Sequence, residues 1–235
     1  MISIFIPVRK GSKRISNKNT TKISSFKHGL VEIKVKQFAR LRNIIKKNKN
    51  YKYLKDIEII FSTDCKKTLR YISRFKWIKA QVRNRKLAGD DCLQDLINFV
   101  PKICKNEHIL WTHVTSPCFH EEDYLDIIRY YIKNRNRNSI YTADFLQTFL
   151  ITKHGKFISH NFKKKKWPRT QDLKGFYALN SAAFLSSKKN YFKYKDRLCN
   201  KPKPYISRLK SGFDIDNKDD LKFFTKCLIG NTRPN

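Results

Sequence analysis

Short apolar runs alternate with stretches of helical periodicity through the first 135 residues, and few folds accommodate that order. Residues 2–8 (ISIFIPV) make an apolar β-rich run closed by Pro7, which predicts a buried strand. Leu30, Ile33, Lys34, Phe38, Leu41 and Ile45 recur at helical spacing and predict a helix over about 29–47. Residues 57–62 (IEIIFS) predict a second strand, and Leu69, Ile72 and Phe75 a helix after it. Residues 92–104 read as a helix and HILWTHV as a strand ending at the turn Thr115-Ser116-Pro117. Tyr124, Ile127, Ile128 and Tyr131 mark a further helix. Strand and helix in alternation predict an α/β fold with a mostly parallel sheet covered on both faces.

The pattern changes after residue 138. SIYTADF, FLQTFLIT and KFISHNF are short and rich in β-formers, separated by turn residues such as Gly155. Residues 182–186 (AAFLS) suggest another strand, and residues 219–228 a closing helix introduced by Asp214-Ile215-Asp216-Asn217. The expectation is a β-rich excursion over about 138–180, of a kind that commonly serves dimerisation. No linker or repeat divides the chain, so a single domain over 1–235 is expected.

Seventeen Phe, 11 Tyr and 3 Trp argue against disorder; Trp77 and Trp111 read as core. The six cysteines contain no CxxC pair, fit no zinc module, and read as reduced thiols in a cytoplasm. The apolar run at residues 2–8 is too short to span a membrane or act as a secretory signal. Fifty-two Lys plus Arg against 19 Asp plus Glu leave a net charge of +33. Such a field attracts any polyanion, nucleic acid included. The joint abundance of Lys, Asn, Ile, Phe and Tyr is also what a genome rich in A and T favours, so charge alone selects no partner.

Two constellations carry chemistry. Arg9-Lys10-Gly11-Ser12-Lys13-Arg14, with Lys18 and Asn19, follows the first strand, where open α/β sheets bind ligands. A glycine for close backbone approach, a hydroxyl and several cations suit a triphosphate, although no Walker pattern is present. A solvated basic loop is the alternative. Asp214 and Asp216 stand on one side of an extended segment, about 7 Å apart, a spacing that lets both reach one Mg²⁺. They equally suit the start of a helix, where acids complement the dipole.

These residues resemble the CMP-sialic acid synthetases, or acylneuraminate cytidylyltransferases. The blocks follow that family's order: Ile6-Pro7-Val8-Arg9-Lys10-Gly11-Ser12-Lys13-Arg14-Ile15, Ser62-Thr63-Asp64, Arg83 with Leu87-Ala88-Gly89-Asp90, Thr115-Ser116-Pro117, Arg169-Thr170-Gln171-Asp172, Asn180-Ser181-Ala182 and Asp214-Ile215-Asp216. The resemblance implies that Arg9, Lys13 and Lys18, with Gly11, Ser12 and Asn19, hold the phosphates of CTP. Arg83 would read the cytosine, with Asp90 in the loop that follows. Asp214 and Asp216 would bind Mg²⁺. His113, Arg169, Gln171 and Asn180 would meet the sugar acid. The resemblance implies a Rossmann-like nucleotidyltransferase fold in a homodimer, and a reaction that transfers CMP from CTP to the anomeric hydroxyl of a nonulosonic acid while pyrophosphate leaves. Three departures from the family stand out: Ser16 for a proline, Ser181 for a glycine, and His113-Val114 for a Gln-Pro pair. His113 is therefore either a general base on the sugar hydroxyl or a packed strand-end residue. The alternative function is a basic nucleic-acid-binding protein on a related scaffold, with catalysis lost. Under the enzymatic reading, nucleic acid would bind only through non-specific electrostatics.

Overall fold

The computed structural model describes residues 1–11, 14–89, 91–134, 138–208 and 211–230. In chain order the elements are β1 (Ile2–Val8), α1 (Gly29–Lys47), β2 (Glu58–Thr63), α2 (Lys66–Ile72), β3 (Lys79–Val82), α3 (Leu93–Ile103), β4 (His108–Thr112), α4 (Glu121–Lys133), β5 (Ile140–Leu146), β6 (Phe176–Ser187), α5 (Lys188–Tyr194), β7 (Lys203–Ile206) and α6 (Lys218–Gly230). The strands form one sheet in the order β3-β2-β1-β4-β6-β5-β7. β1 runs parallel to β2 and β4, β2 to β3, and β5 to β7, whereas β6 is antiparallel to β4 and β5. The carboxyl ends of β1, β2 and β4 therefore open on one edge, the ligand side of such sheets.

β1 is apolar on both faces because both are covered. Ile2, Ile4, Ile6 and Val8 join the larger core layer with Phe38 and Leu41 of α1 and Tyr124 and Ile128 of α4. Phe5 points the other way, into a layer with Trp111 of β4 and Leu96, Ile97 and Val100 of α3. That division follows the two-residue repeat of a strand.

The expected helix over 29–47 and the strands at 2–8 and 108–112 form where the periodicity puts them. Elsewhere the excursion differs from expectation. Residues 147–175 contain no strand; FLQTFLIT and KFISHNF pair through the isolated bridge Ile151↔Phe157 and a few hydrogen bonds around it, such as Ile158 N–H to the Leu150 carbonyl at 2.9 Å. Their aromatics instead cluster with one another, Phe157 stacking on Phe162 at 4.6 Å and both meeting Trp167 edge-on. β6 is much longer than the residues 182–186 expected, and β3, α5 and β7 have no counterpart in the sequence reading. Phe75 lies beyond the end of α2. No helix among the described residues is long and apolar enough to cross a membrane.

The sheet edge is braced by polar residues on the buried face of α1. Lys34 and Gln37 are fully buried. Lys34 Nζ donates to the Ser116 carbonyl and the Tyr124 hydroxyl, both at 2.9 Å, and Gln37 Nε2 donates to the Pro117 carbonyl at 2.6 Å. Two side chains at helical spacing thus hold the turn that follows β4.

Candidate active site

A cleft of about 460 Å³ opens at this edge. Arg9, Arg14, Lys18 and Asn19 enter from the loop after β1, Arg83 from beyond β3, Trp111 and His113 from the end of β4, and Asp216 from the segment before α6. Four cations lining one cleft suit a polyanionic ligand. Residues 130 or more apart in sequence meet here because parallel strands bring their ends to one edge.

Lys18 latches the first loop to the acidic segment. Its side chain is nearly buried, its ammonium donates to the Ile215 carbonyl, and it stands 3.7 Å from the Asp216 carboxylate. Arg14 approaches Asp216 from the exposed side at 3.1 Å. Asn19 Nδ2 donates to the Arg9 carbonyl at 3.2 Å, and Asp64 Oδ1 accepts from the Lys10 backbone N–H at 2.7 Å. Gly11 has φ of 74°, in the left-handed region open to glycine, and no atom would obstruct a side chain there. It is exposed and does not form part of the cleft wall. Ser12, Lys13 and Asp90, named from the sequence, lie outside the described residues.

The two acids occupy different environments. Asp216 is half exposed beside its cations. Asp214 is largely buried, and burial pushes its carboxyl above the usual range; a Thr115 hydrogen bond and Lys18 work against that rise, while Asp216 and Asp220 add to it. Its Oδ1 is buried without a hydrogen-bond partner. The helix cap is carried by neither. Asn217 Oδ1 accepts from the Asp219 and Asp220 N–H groups at 2.8 and 3.0 Å, and Asp220 Oδ2 accepts from the Asp216 and Asn217 N–H groups. This reciprocal pair satisfies the helix start and leaves the Asp216 carboxylate to the cleft.

Arg83 is buried; Nη2 donates to the Ser62 carbonyl at 2.5 Å and Nε to its hydroxyl at 3.2 Å. Burial lowers its pKa to about 10, with Asp64 opposing the change. Its fork is thus fixed by β2, and the residue still borders the cleft.

His113 accepts a hydrogen bond from Trp111 Nε1 at its Nε2, 3.0 Å away. Burial first, then the cations Arg197, Lys34, Arg83 and Lys18, push its pKa down to about 3. A ring in that field, with one nitrogen already engaged, is a poor proton acceptor.

The remaining sugar-site candidates are not gathered here. Arg169 is exposed and pairs with Asp172 through two hydrogen bonds of 3.0 and 3.1 Å. Gln171 lies in the same short turn, its carbonyl accepting from Gln147. Asn180 bonds Asp144 and Ser207 at 3.3 and 3.1 Å. It also packs on Gly212, where an added Cβ would fall 1.9 Å from Asn180 Nδ2. A larger residue at 212 would have to displace the Asn180 side chain from its bonds to Asp144 and Ser207.

Sequence reasoning missed Trp111 as a cleft residue: it is fully buried, as expected of core, yet its ring forms part of the wall. It also gave no role to Arg14 as an ion-pair partner or to Lys34. An apolar-face lysine on a helix was the available signal for the last.

The same fold occurs in a CMP:2-keto-3-deoxy-manno-octonic acid synthetase solved with CTP (11% identity, TM-score 0.63, covering 98% of this chain and 99% of that one). It occurs also in 4-diphosphocytidyl-2C-methyl-D-erythritol synthase from Anaerococcus prevotii (16%, 0.60, 97% and 98%) and in HddC from Yersinia pseudotuberculosis (13%, 0.57, 97% and 100%). At such identities the likeness is one of fold. Among curated proteins, none matches this sequence. The sequence pattern of the cytidylyltransferases matches residues 3–226, nearly the whole chain. With a polycationic cleft at the carboxyl edge of the sheet and that match along its length, the chain belongs to the cytidylyltransferase family.

Proposed function

We propose that the protein is a Mg²⁺-dependent synthetase that transfers CMP from CTP to the anomeric hydroxyl of a nonulosonic acid. The observation that carries this reading is the meeting of Arg9, Lys18 and Arg83 with Asp216 in one cleft, in an order of sequence blocks resembling the CMP-sialic acid synthetases. The sugar hydroxyl oxygen bonds to the α-phosphorus, the bond to the β-phosphate oxygen breaks, pyrophosphate leaves, and the hydroxyl proton passes to solvent. Arg9, Lys18 and the described part of the first loop bind the phosphates; Lys13 and Ser12 belong to the same assignment. Arg83, clamped by Ser62, presents its remaining guanidinium edge to the acceptor atoms of cytosine.

Asp214 and Asp216 suit a hard cation. Mg²⁺ takes one or two carboxylates plus phosphate oxygens, and the orphaned Oδ1 of buried Asp214 lacks a partner that an ion would supply. Bound there, Mg²⁺ would offset charge on the phosphates. Without it, Arg14 and Lys18 neutralise Asp216. Arg169 and Gln171 are assigned to the sugar carboxylate; the Arg169–Asp172 pair is exposed, so exchanging Asp172 for a substrate carboxylate costs little. Exposed Phe145, Tyr177 and Leu179, on one face of paired β5 and β6, support a dimer formed through this face.

The test is pyrophosphate release from CTP and Mg²⁺ with a panel of nonulosonic acids, together with Asp216→Asn. Turnover with at least one acid is expected, and the variant should lose about a hundredfold or more while folding normally, because Asn217 and Asp220 form the cap. No release with any acid, or a variant as fast as the parent in limiting Mg²⁺, contradicts the reading.

A further inference from the structure

Trp111 and His113, which line the cleft, form with Arg197 a chain that the phosphate and metal assignments leave unused. Trp111 Nε1 is a donor only, so the nitrogen it meets, His113 Nε2, must present a lone pair. The proton of the neutral ring is then on Nδ1. Nδ1 makes no hydrogen bond among the described residues, and His113 borders the cleft. Trp111 is itself held by Arg197, whose guanidinium lies 5.1 Å from the Trp111 ring and 3.8 Å from that of Phe184. Arg197 Nη1 is buried with no hydrogen-bond partner, and no ion pair offsets its charge among the described residues.

We propose that Trp111 locks His113 as a neutral Nδ1–H donor that recognises an uncharged oxygen of the acceptor substrate, with Arg197 as a positioning residue behind the lock. The charged groups facing the ring all oppose its protonation: Arg197 after α5, Lys34 of α1, Arg83 after β3 and Lys18 after β1. Protonating Nε2 would also set two N–H donors against each other. Phosphates call for cations, which Arg9, Arg14 and Lys18 supply in the same cleft. A donor held neutral suits a hydroxyl, ring or amide oxygen instead. The acceptor assignment rests on the proposed function; the locked tautomer does not.

Two measurements test the proposal. Nitrogen-15 NMR of histidine-labelled protein reads the tautomer without any turnover. The parent should show Nδ1 protonated and Nε2 unprotonated, unchanged from pH about 5.5 to about 8, a range in which a free histidine titrates. Trp111→Phe should mix the two tautomers. A parent ring protonated at Nε2, or titrating in that range, overturns the lock, as does an unchanged tautomer in Trp111→Phe. The second measurement is steady-state kinetics. His113→Phe should raise KM for the sugar acid about tenfold, the loss of one hydrogen bond, and leave KM for CTP within about twofold. His113→Gln, which keeps an N–H donor, should recover most of that loss. If KM for CTP moves instead, or neither KM moves, His113 does not read the acceptor. Absence of turnover with every acid contradicts the enzymatic assignment and with it the acceptor role, while the NMR result still decides the lock.

Discussion

Lys34 couples protonation to the geometry of the active edge. It is fully buried, and burial pulls its pKa down to about 7, although Cys118, Asp123, Asp214 and Glu121 oppose the shift. Its ammonium donates to the carbonyl of Ser116, next to Thr115, which hydrogen-bonds Asp214. In the unfolded chain the same lysine titrates near 10.4. Below pH about 7 both states are protonated and the folded state carries the full cost of a buried charge. Between about 7 and about 10.4 the unfolded state binds the extra proton, so stability rises with pH through that window. Lys34→Met removes the group and with it that slope. The unfolding free energy of the parent should therefore gain on that of Lys34→Met between pH 6.5 and 9.5, by an amount on the order of a few kcal/mol. A difference that stays constant across the range would mean that Lys34 is not the titrating group. Thiols and tyrosines present in both proteins cancel from the comparison.

The strands β5 and β6 show where sequence patterning stops being informative. Periodicity located β1, α1 and β4 because each buries apolar side chains at a regular spacing. β6 breaks that spacing. Its register against β5 jumps between Tyr141↔Phe184 and Ala143↔Leu179, so extra residues of β6 loop out around Asn180–Ala183. Ser181, in that bulge, has φ of 61°. Alternation cannot be read through a bulge, and only part of the strand was visible beforehand. β3 and β7 are four residues each, paired on one side only, with few apolar residues to announce them. The cleft residues that follow strands were legible for the same reason as the strands: Arg9, Lys18, Arg83 and Asp216 sit in quotable blocks. Trp111 was not, because an aromatic in a strand looks like core whether or not it borders a cavity. A serine in the left-handed region costs roughly 1 kcal/mol that glycine avoids, and glycine gives back about half of that in the unfolded chain. Ser181→Gly should therefore stabilise by about 0.5 kcal/mol, or about 1–2 °C in melting temperature, whereas Ser181→Ala, still left-handed, should gain nothing. A glycine variant that melts below the parent would mean that the Ser181 hydroxyl contributes more than the strain costs.

At the scale of the whole molecule the question is what a net charge of +33 does. Several acids are already committed: Glu121 to Arg40, Glu58 to Lys79, and Asp126 to both Arg129 and Arg208. Most cations therefore repel one another with little local compensation, and the cleft shares their sign. Two effects of opposite direction result. Salt screens the self-repulsion of the folded chain, which favours compactness. Salt also screens the attraction that draws a triphosphate to the cleft. Raising NaCl from 50 to 500 mM (roughly a threefold shorter screening length) should raise the melting temperature while lowering kcat/KM for CTP. The nucleic-acid alternative makes a different forecast. A surface selected for phosphodiester backbones holds DNA with low-nanomolar affinity near physiological salt, and its affinity falls steeply with salt because many counterions are released. An enzyme whose lysines are spread without design should bind DNA only at low salt, with dissociation constants of about 10⁻⁶ M or weaker at physiological ionic strength. A carboxylate at the cleft mouth, Asp216, would repel a backbone laid across it unless Mg²⁺ intervened. Low-nanomolar DNA binding at about 150 mM salt, in a protein that releases no pyrophosphate with any acid, would establish the nucleic-acid reading. Weak binding under the same conditions, with CTP turnover still measurable, leaves the charge as a background field around an enzyme.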